Sequence, residues 1–144
     1  MRIILTLAWI MAGLLAVGFH FGPGRERLLL DEVAAHLEAA ENHSKSGDWR
    51  TAASEYRAAL QALPEDRIAG SKRIRVERAK ALLNSSQLPA AYSDMLLLVD
   101  ELKGESKPDE DLLADAQSTL ASAQYYLTWL MRLEGLPQDA WEED

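Results

Sequence analysis

The sequence predicts an all-α protein built from stacked antiparallel helical hairpins and preceded by one transmembrane helix. From Arg25 onward, apolar residues recur at three- and four-residue spacing, and no stretch alternates apolar and polar residues over the length of a strand. Before that point, Ile3 to Phe21 is a run of 19 residues without a charge. A helix of this run would be roughly 28 Å long, close to the ~30 Å hydrocarbon core of a bilayer.

Residues 1–24 are therefore expected to form a signal anchor that ends at a Gly-Pro-Gly break, because proline and glycine interrupt helices. A cleaved secretory signal is the alternative, with Arg2 as its basic amino-terminal region. The anchor is favoured because the apolar run continues past the best small-x-small cleavage site, at 16–18. Basic residues nearly balance across the run, so the orientation depends on the very short amino-terminal tail. Such a tail usually leaves the bulk of the chain outside, and we expect an extracytoplasmic domain in a bacterial-type cell envelope.

Length and charge restrict the function. The chain has 144 residues, enough for one compact domain and a short appendage. Its net charge of −8 disfavours nucleic acid as a partner and favours proteins with basic stretches, because an acidic surface repels phosphate. There is no cysteine, which excludes disulfides, thiolate metal sites and cysteine nucleophiles.

Five helices are predicted in a helical domain at 25–135, and caps or breakers define their ends. Asp48 suits the N-cap of the second helix, which Pro64 ends. Pro89 suits the first turn of the fourth helix, while Gly104 and Gly135 suit the ends of the fourth and fifth. The predicted helices cover about 26–45, 49–63, 68–83, 89–102 and 109–133, and an acidic tail follows at 136–144.

Small residues recur at helical intervals in the second helix. Ala52 and Ala59 are seven residues apart, with Tyr56 between them. Alanines at a crossing point let two helices approach closely, and a ring between them fills the adjoining space. A shift of 39 residues places Ala52 on Ala91 and Tyr56 on Met95, so the first pair of helices is similar to the second.

These residues resemble a tetratricopeptide repeat, a helix–turn–helix unit of about 34 residues. One unit is identified at about 33–64 and a degenerate second unit at about 72–103. The helix at 109–133 is either the start of an unfinished third unit or a terminal cap. The first unit departs from the family where histidines, His36 and His43, replace two aromatic residues. The residues that carry the resemblance are Ala40, Gly47, Trp49, Ala52, Tyr56, Ala59 and Pro64.

The resemblance implies a scaffold that binds proteins or peptides and has no catalysis of its own. In this family the first helix of each unit lines the binding groove. The carboxylate-clamp variant needs lysine and asparagine along that groove, which Leu37 and Glu41 do not supply, so a mixed or apolar peptide is expected. The groove residues that the resemblance implies are Leu37, Glu41, Ser44, Val76, Lys80 and Leu83.

No pattern in the sequence indicates catalysis, a metal or a cofactor. His36 and His43 would lie about 10 Å apart on one helix, with no ligand midway between them. Adjacent acids such as Glu110 and Asp111 diverge on a helix and favour solvated charge over an acid–base pair. The chain contains no phosphate-binding loop and no nucleophile elbow.

Two apolar segments leave alternatives open. The run at 95–99 is expected in the core, although it could be an interface. The rings of Tyr125, Tyr126 and Trp129 are expected to pack on the fourth helix, although they could anchor a partner. The alternative functions are a secreted periplasmic binding subunit, after signal cleavage, and a self-assembling structural protein. In the latter, the face of Leu96 and the ring cluster would join copies of the chain into a homo-oligomer.

Overall fold

A computed structural model describes residues 23–64 and 67–137, and this part of the chain is helical throughout, without strands. The all-α prediction is confirmed. The predicted anchor at 3–21 lies outside the described residues, and within them no helix has the length and apolar character needed to cross a bilayer. The helices are α1 (Pro23–Lys45), α2 (Trp49–Ala62), α3 (Ile68–Asn84), α4 (Leu88–Lys103) and α5 (Glu110–Leu133).

The helices begin and end close to the predicted residues. Asp48 caps α2, since its side chain accepts a hydrogen bond from the backbone N–H of Thr51 at 3.3 Å. The interaction with Thr51 lowers the pKa of Asp48. Asp109 caps α5 in the same way through the N–H of Leu112, at 3.0 Å. The largest difference is at α1, which begins three residues early because proline is tolerated in a first helical turn.

Each helix packs against the next one along the chain, and α3 also contacts α5. The short connections make consecutive helices antiparallel. Ion pairs show the direction for α3 and α4, since Lys72 pairs with Glu105 while Arg78, further along α3, pairs with Asp94. Alternate helices are therefore parallel, so that α1, α3 and α5 point the same way.

The core contains small residues where α1, α2 and α3 meet. Ala40, Ala52 and Ala59 are fully buried, and Tyr56 is buried between the two alanines of α2. The expected burial of these alanines is confirmed, and their size permits the close approach of α2 to its neighbours. A second buried cluster joins α3 to α4 and α5, and it includes the fully buried Val76 and Leu98.

An ion-pair network ties α3 to α4. Arg75 donates to Asp94 at 3.1 Å and to Glu101 at 2.9 Å, and Arg78 donates to the second oxygen of Asp94 at 3.1 Å. Lys72 extends the network to Glu101, at 3.3 Å. Burial alone would raise the pKa of Glu101, but the hydrogen bonds from Arg75 and Lys72 outweigh it and lower that pKa. The carboxylate therefore stays ionised and paired at neutral pH.

The apolar run on α4 divides between core and surface. Met95, Leu98 and Val99 are buried, as expected, whereas Leu96 and Leu97 are exposed. Since neighbouring residues on a helix are 100° apart, five consecutive apolar side chains can be covered only if partners lie on every side. The described helices α3 and α5 cover one side of α4.

Candidate functional site

A concave surface in the described part of the chain forms a groove between α1 and α3. It has a volume of about 890 Å³, and α2 forms its base. The two walls are parallel helices, because α2 reverses the chain between them. The surface of the groove is mainly apolar, and the charged residues that line it include Glu41, Arg73, Glu77 and Lys80.

The base of the groove carries two aromatic rings from α2, Trp49 and Tyr56. Tyr56 is buried, and this burial raises the pKa of its phenol, while a hydrogen bond with Ser44 acts in the opposite direction. Leu37 of α1 and Ile74 of α3 stand on either side of the base. The interior is therefore an apolar trough with the phenol and the Ser44 hydroxyl as polar groups.

Charges on the rim are already paired within the chain. Lys80 donates to Glu77 at 2.9 Å and to Asp115 of α5 at 2.8 Å. Burial alone would lower the pKa of Lys80, but these two acids outweigh it, so that this pKa is raised. Lys45 pairs with Glu41 at 3.4 Å. The rim thus offers alternating charge of both signs around an apolar interior.

A glycine keeps one end of the groove open. Gly70 lies in the first turn of α3 and lines the groove. A Cβ added there would meet no atom within 4 Å, and its backbone does not require positive φ. Glycine weakens a helix by roughly 0.5–1 kcal/mol relative to alanine, so the residue is not favoured by the fold of α3. A larger side chain at this position would project into the groove.

The structure brings together four of the six predicted groove residues. Leu37, Glu41 and Ser44 line the wall formed by α1, and Lys80 lies on the wall formed by α3. Val76 is fully buried in the second cluster and has no surface to offer a ligand. Leu83 is half-buried and lines a separate depression of about 600 Å³ beside the end of α5.

Sequence reasoning missed the groove residues Gly70, Ile74 and Glu77 because it chose a neighbouring face of α3. These residues follow three- and four-residue spacing, as do Val76, Lys80 and Leu83, but on a face rotated by one residue, or 100°. The position of acidic residues could have corrected this choice of face. A charged Glu77 next to an aliphatic Val76 indicates that the side of α3 with Glu77 is exposed and the side with Val76 is buried. Tyr56 was recognised only as a packing ring between two alanines, and Trp49 only as a residue that carries the resemblance.

His36 and His43 of α1 pair with acids in α2 and at its N-cap. Nδ1 of His36 lies 2.7 Å from Glu55, and Nδ1 of His43 lies 3.3 Å from Asp48. Both contacts join α1 to the α2 region and involve partly exposed groups. Within the ranges that the structure describes, no group of three or more histidines and acids is placed to hold a metal ion.

The ring cluster of α5 is exposed, so its expected packing on α4 is wrong. Tyr125 is 66% exposed, Tyr126 49% and Trp129 54%. Tyr125 and Trp129 lie on the face of α5 opposite its buried residues. Tyr126 is exposed because α5, with 24 residues, is longer than α4, with 16. About two turns of α5 therefore extend past the start of α4, where no described helix covers them. Tyr125 and Tyr126 contact each other edge to face, with centroids 5.5 Å apart.

Comparison with known proteins gives no relative. No protein-family model, curated protein or solved structure matches the chain.

Proposed function

We propose that this protein is a membrane-tethered scaffold, similar to tetratricopeptide-repeat proteins, that binds an apolar segment of a partner protein and has no catalysis of its own. The single observation that carries the proposal is the apolar groove between α1 and α3. A volume of about 890 Å³ falls within the ~300–1,000 Å³ typical of ligand pockets.

Charge in the groove favours an uncharged anchor on the partner. Lys45, Lys80 and Arg73 each pair with an acid of this chain, Arg73 with Asp109 at 3.8 Å. A charged anchor would have to displace one of these partners, whereas an apolar side chain over Tyr56 would only exclude water. Polar groups of the peptide backbone would find the Ser44 hydroxyl on the wall formed by α1. The partner is therefore a peptide segment with apolar side chains, and its flanks carry charges of both signs.

The proposed tether is the uncharged run at 3–21, which lies outside the described residues. α1 begins at Pro23, directly after this run, so that the two would be joined by a single short segment. Tethering raises the local concentration of the domain near membrane partners, so that a groove of modest affinity suffices. The domain is proposed to be extracytoplasmic.

Filling the groove at Gly70 should weaken peptide binding. Peptides would be selected from a random library on the immobilised full chain, and their Kd measured for wild type, Gly70→Phe and the matched control Gly70→Ala. Burial of one apolar side chain contributes ~1.5–3 kcal/mol. Loss of one such anchor predicts that Gly70→Phe raises the Kd about tenfold or more, while Gly70→Ala leaves it within about twofold. The proposal fails if no peptide is enriched, or if enriched peptides bind Gly70→Phe as tightly as wild type.

The tether predicts resistance to extraction. Membranes from cells that express the full chain would be washed with alkaline carbonate, with a variant lacking residues 3–21 as control. The full chain should stay in the membrane pellet and the variant should be released. Release of the full chain would reject the anchor. Mass spectrometry of the mature amino terminus would detect cleavage near 16–18, the result that the periplasmic alternative requires.

A further inference from the structure

One exposed face of α5 has small side chains in its first half and large rings in its second half, so that it is complementary to a second, antiparallel copy of itself. Opposite the buried face of α5, exposed residues follow one another at three- and four-residue spacing along the whole helix. After Asp111 at its amino end, the first half of this stripe carries only small side chains, those of Ala114, Ser118 and Ala121. In the carboxyl-terminal half it carries the rings of Tyr125 and Trp129, which are more than half exposed.

We propose that two copies of the chain associate through this stripe, with their α5 helices antiparallel. A twofold axis between Ala121 and Ser122 places each Trp129 opposite the partner's Ala114, and each Tyr125 opposite the partner's Ser118. Large side chains then meet small ones at every level, which is how helices interdigitate at close approach. An interface of this symmetry uses the same surface of both copies.

Charges at the ends of the stripe favour the same direction. Asp111 lies at its amino end and Arg132 at its carboxyl end, and both are exposed. The same twofold axis brings each Asp111 to the level of the partner's Arg132. A parallel pair would instead place like charges together. It would also put all four rings at one end and leave the halves with small side chains too far apart to touch. Electrostatic complementarity of this kind fixes the register of an association more than it adds affinity.

The apolar surface is large enough for a specific contact. Rings of this size bury about 150–250 Å² each, and roughly half of that is still exposed on Tyr125 and Trp129. Four such rings and the surfaces that they would cover amount to on the order of 1,000 Å², the lower end for a specific interface. Exposed Leu133 lies beside this stripe and would add to the area.

The position of the rings favours protein over lipid as their partner. Since α1 and α5 are parallel, the carboxyl end of α5 and the amino end of α1 lie at opposite ends of the helical body. A membrane anchor that precedes Pro23 would hold the bilayer away from Tyr125 and Trp129.

Single-cysteine variants of the full chain test the arrangement, because the natural sequence has no cysteine. Under mild oxidation, Ala121→Cys should give a disulfide-linked dimer. The twofold axis passes beside this position, so the two introduced cysteines are offset by only one residue along the helices. Ala114→Cys alone should not form this dimer. In the antiparallel pair the two copies of residue 114 are 15 residues apart along the helices, which is about 22 Å. A disulfide requires Cα atoms within about 7 Å. A mixture of Asp111→Cys and Arg132→Cys chains, which keep both rings, should cross-link only between the two variants, because these two positions face each other across the twofold axis.

Two controls make the result specific. Ser93→Cys, exposed on α4, measures cross-linking by random collision. Adding Trp129→Glu to Ala121→Cys should abolish the dimer, because the exposed ring is essential to the contact and not to the fold. The proposal is overturned if Ala121→Cys gives no more dimer than Ser93→Cys. It is overturned equally if Ala114→Cys cross-links to itself as readily, which would indicate a parallel pair.

Discussion

Replacing Leu98 by alanine should lower the free energy of unfolding by about 2–5 kcal/mol, the range observed when a buried leucine is truncated and a cavity remains. Leu98 is fully buried in the second cluster, among side chains of α3, α4 and α5. Leu98 is among the largest fully buried side chains of the described residues. Because protein interiors are closely packed, its neighbours can move only slightly into the cavity that the truncation leaves. Urea denaturation of the full chain in a mild detergent, followed by far-ultraviolet circular dichroism, measures the effect.

The adjacent residue provides the matched control. Leu97 has the same side chain on the same helix, but it is 66% exposed. Leu97→Ala should change the free energy of unfolding by no more than about 0.5 kcal/mol, the usual range for surface substitutions. Equal effects at the two positions would mean that α4 does not present this face to α3 and α5.

Enlarging Ala52 to leucine should destabilise the protein by about 1–3 kcal/mol, because an added isobutyl group cannot enter a closely packed crossing without displacing neighbours. Ala52 is fully buried on α2, in the same cluster as Ala40 of α1. The substitution enlarges a residue of good helix propensity to another of nearly equal propensity, so α2 itself is not weakened. The same denaturation experiment reports the loss.

Ala90→Leu controls for the effect of a leucine on an exposed helix position, since Ala90 is exposed in the first turn of α4. Its unfolding midpoint should stay near that of wild type. If Ala52→Leu were as stable as Ala90→Leu, α2 would not be closely packed against its neighbours. This result would contradict the close helix packing that the spacing of the alanines predicts.

Local signals in the sequence predicted the helices because they act within a few residues. Asp48 caps α2 through an N–H three residues away, and the requirement for a stop after Leu133 is met by Gly135 at φ 74°. The alanine spacing on α2 likewise predicted which residues are buried, because one helical face repeats every three or four residues. The helix ends and the buried face of α2 could therefore be predicted without knowing how the rest of the chain packs.

The groove was only partly predictable, because its walls belong to different helices. The residues that the resemblance implied on α1, Leu37 and Glu41, do line the groove, but nothing local decided between the faces of α3 that begin at Val76 and at Glu77. That choice depends on where α5 packs, since α5 covers one of the two. The exposure of Tyr126 was missed for a related reason, because it follows from the relative lengths of α4 and α5.

The alternation of the five described helices sets where the chain enters the domain and where it leaves. An odd number of helices, each antiparallel to the one before it, puts the entry at Pro23 and the exit after Leu133 at opposite ends. Helices of this length rise about 35 Å, so whatever is joined ahead of α1 is held about that far from whatever is joined behind α5. The helical body is thus also a spacer, and its length is set by α1 and α5 themselves.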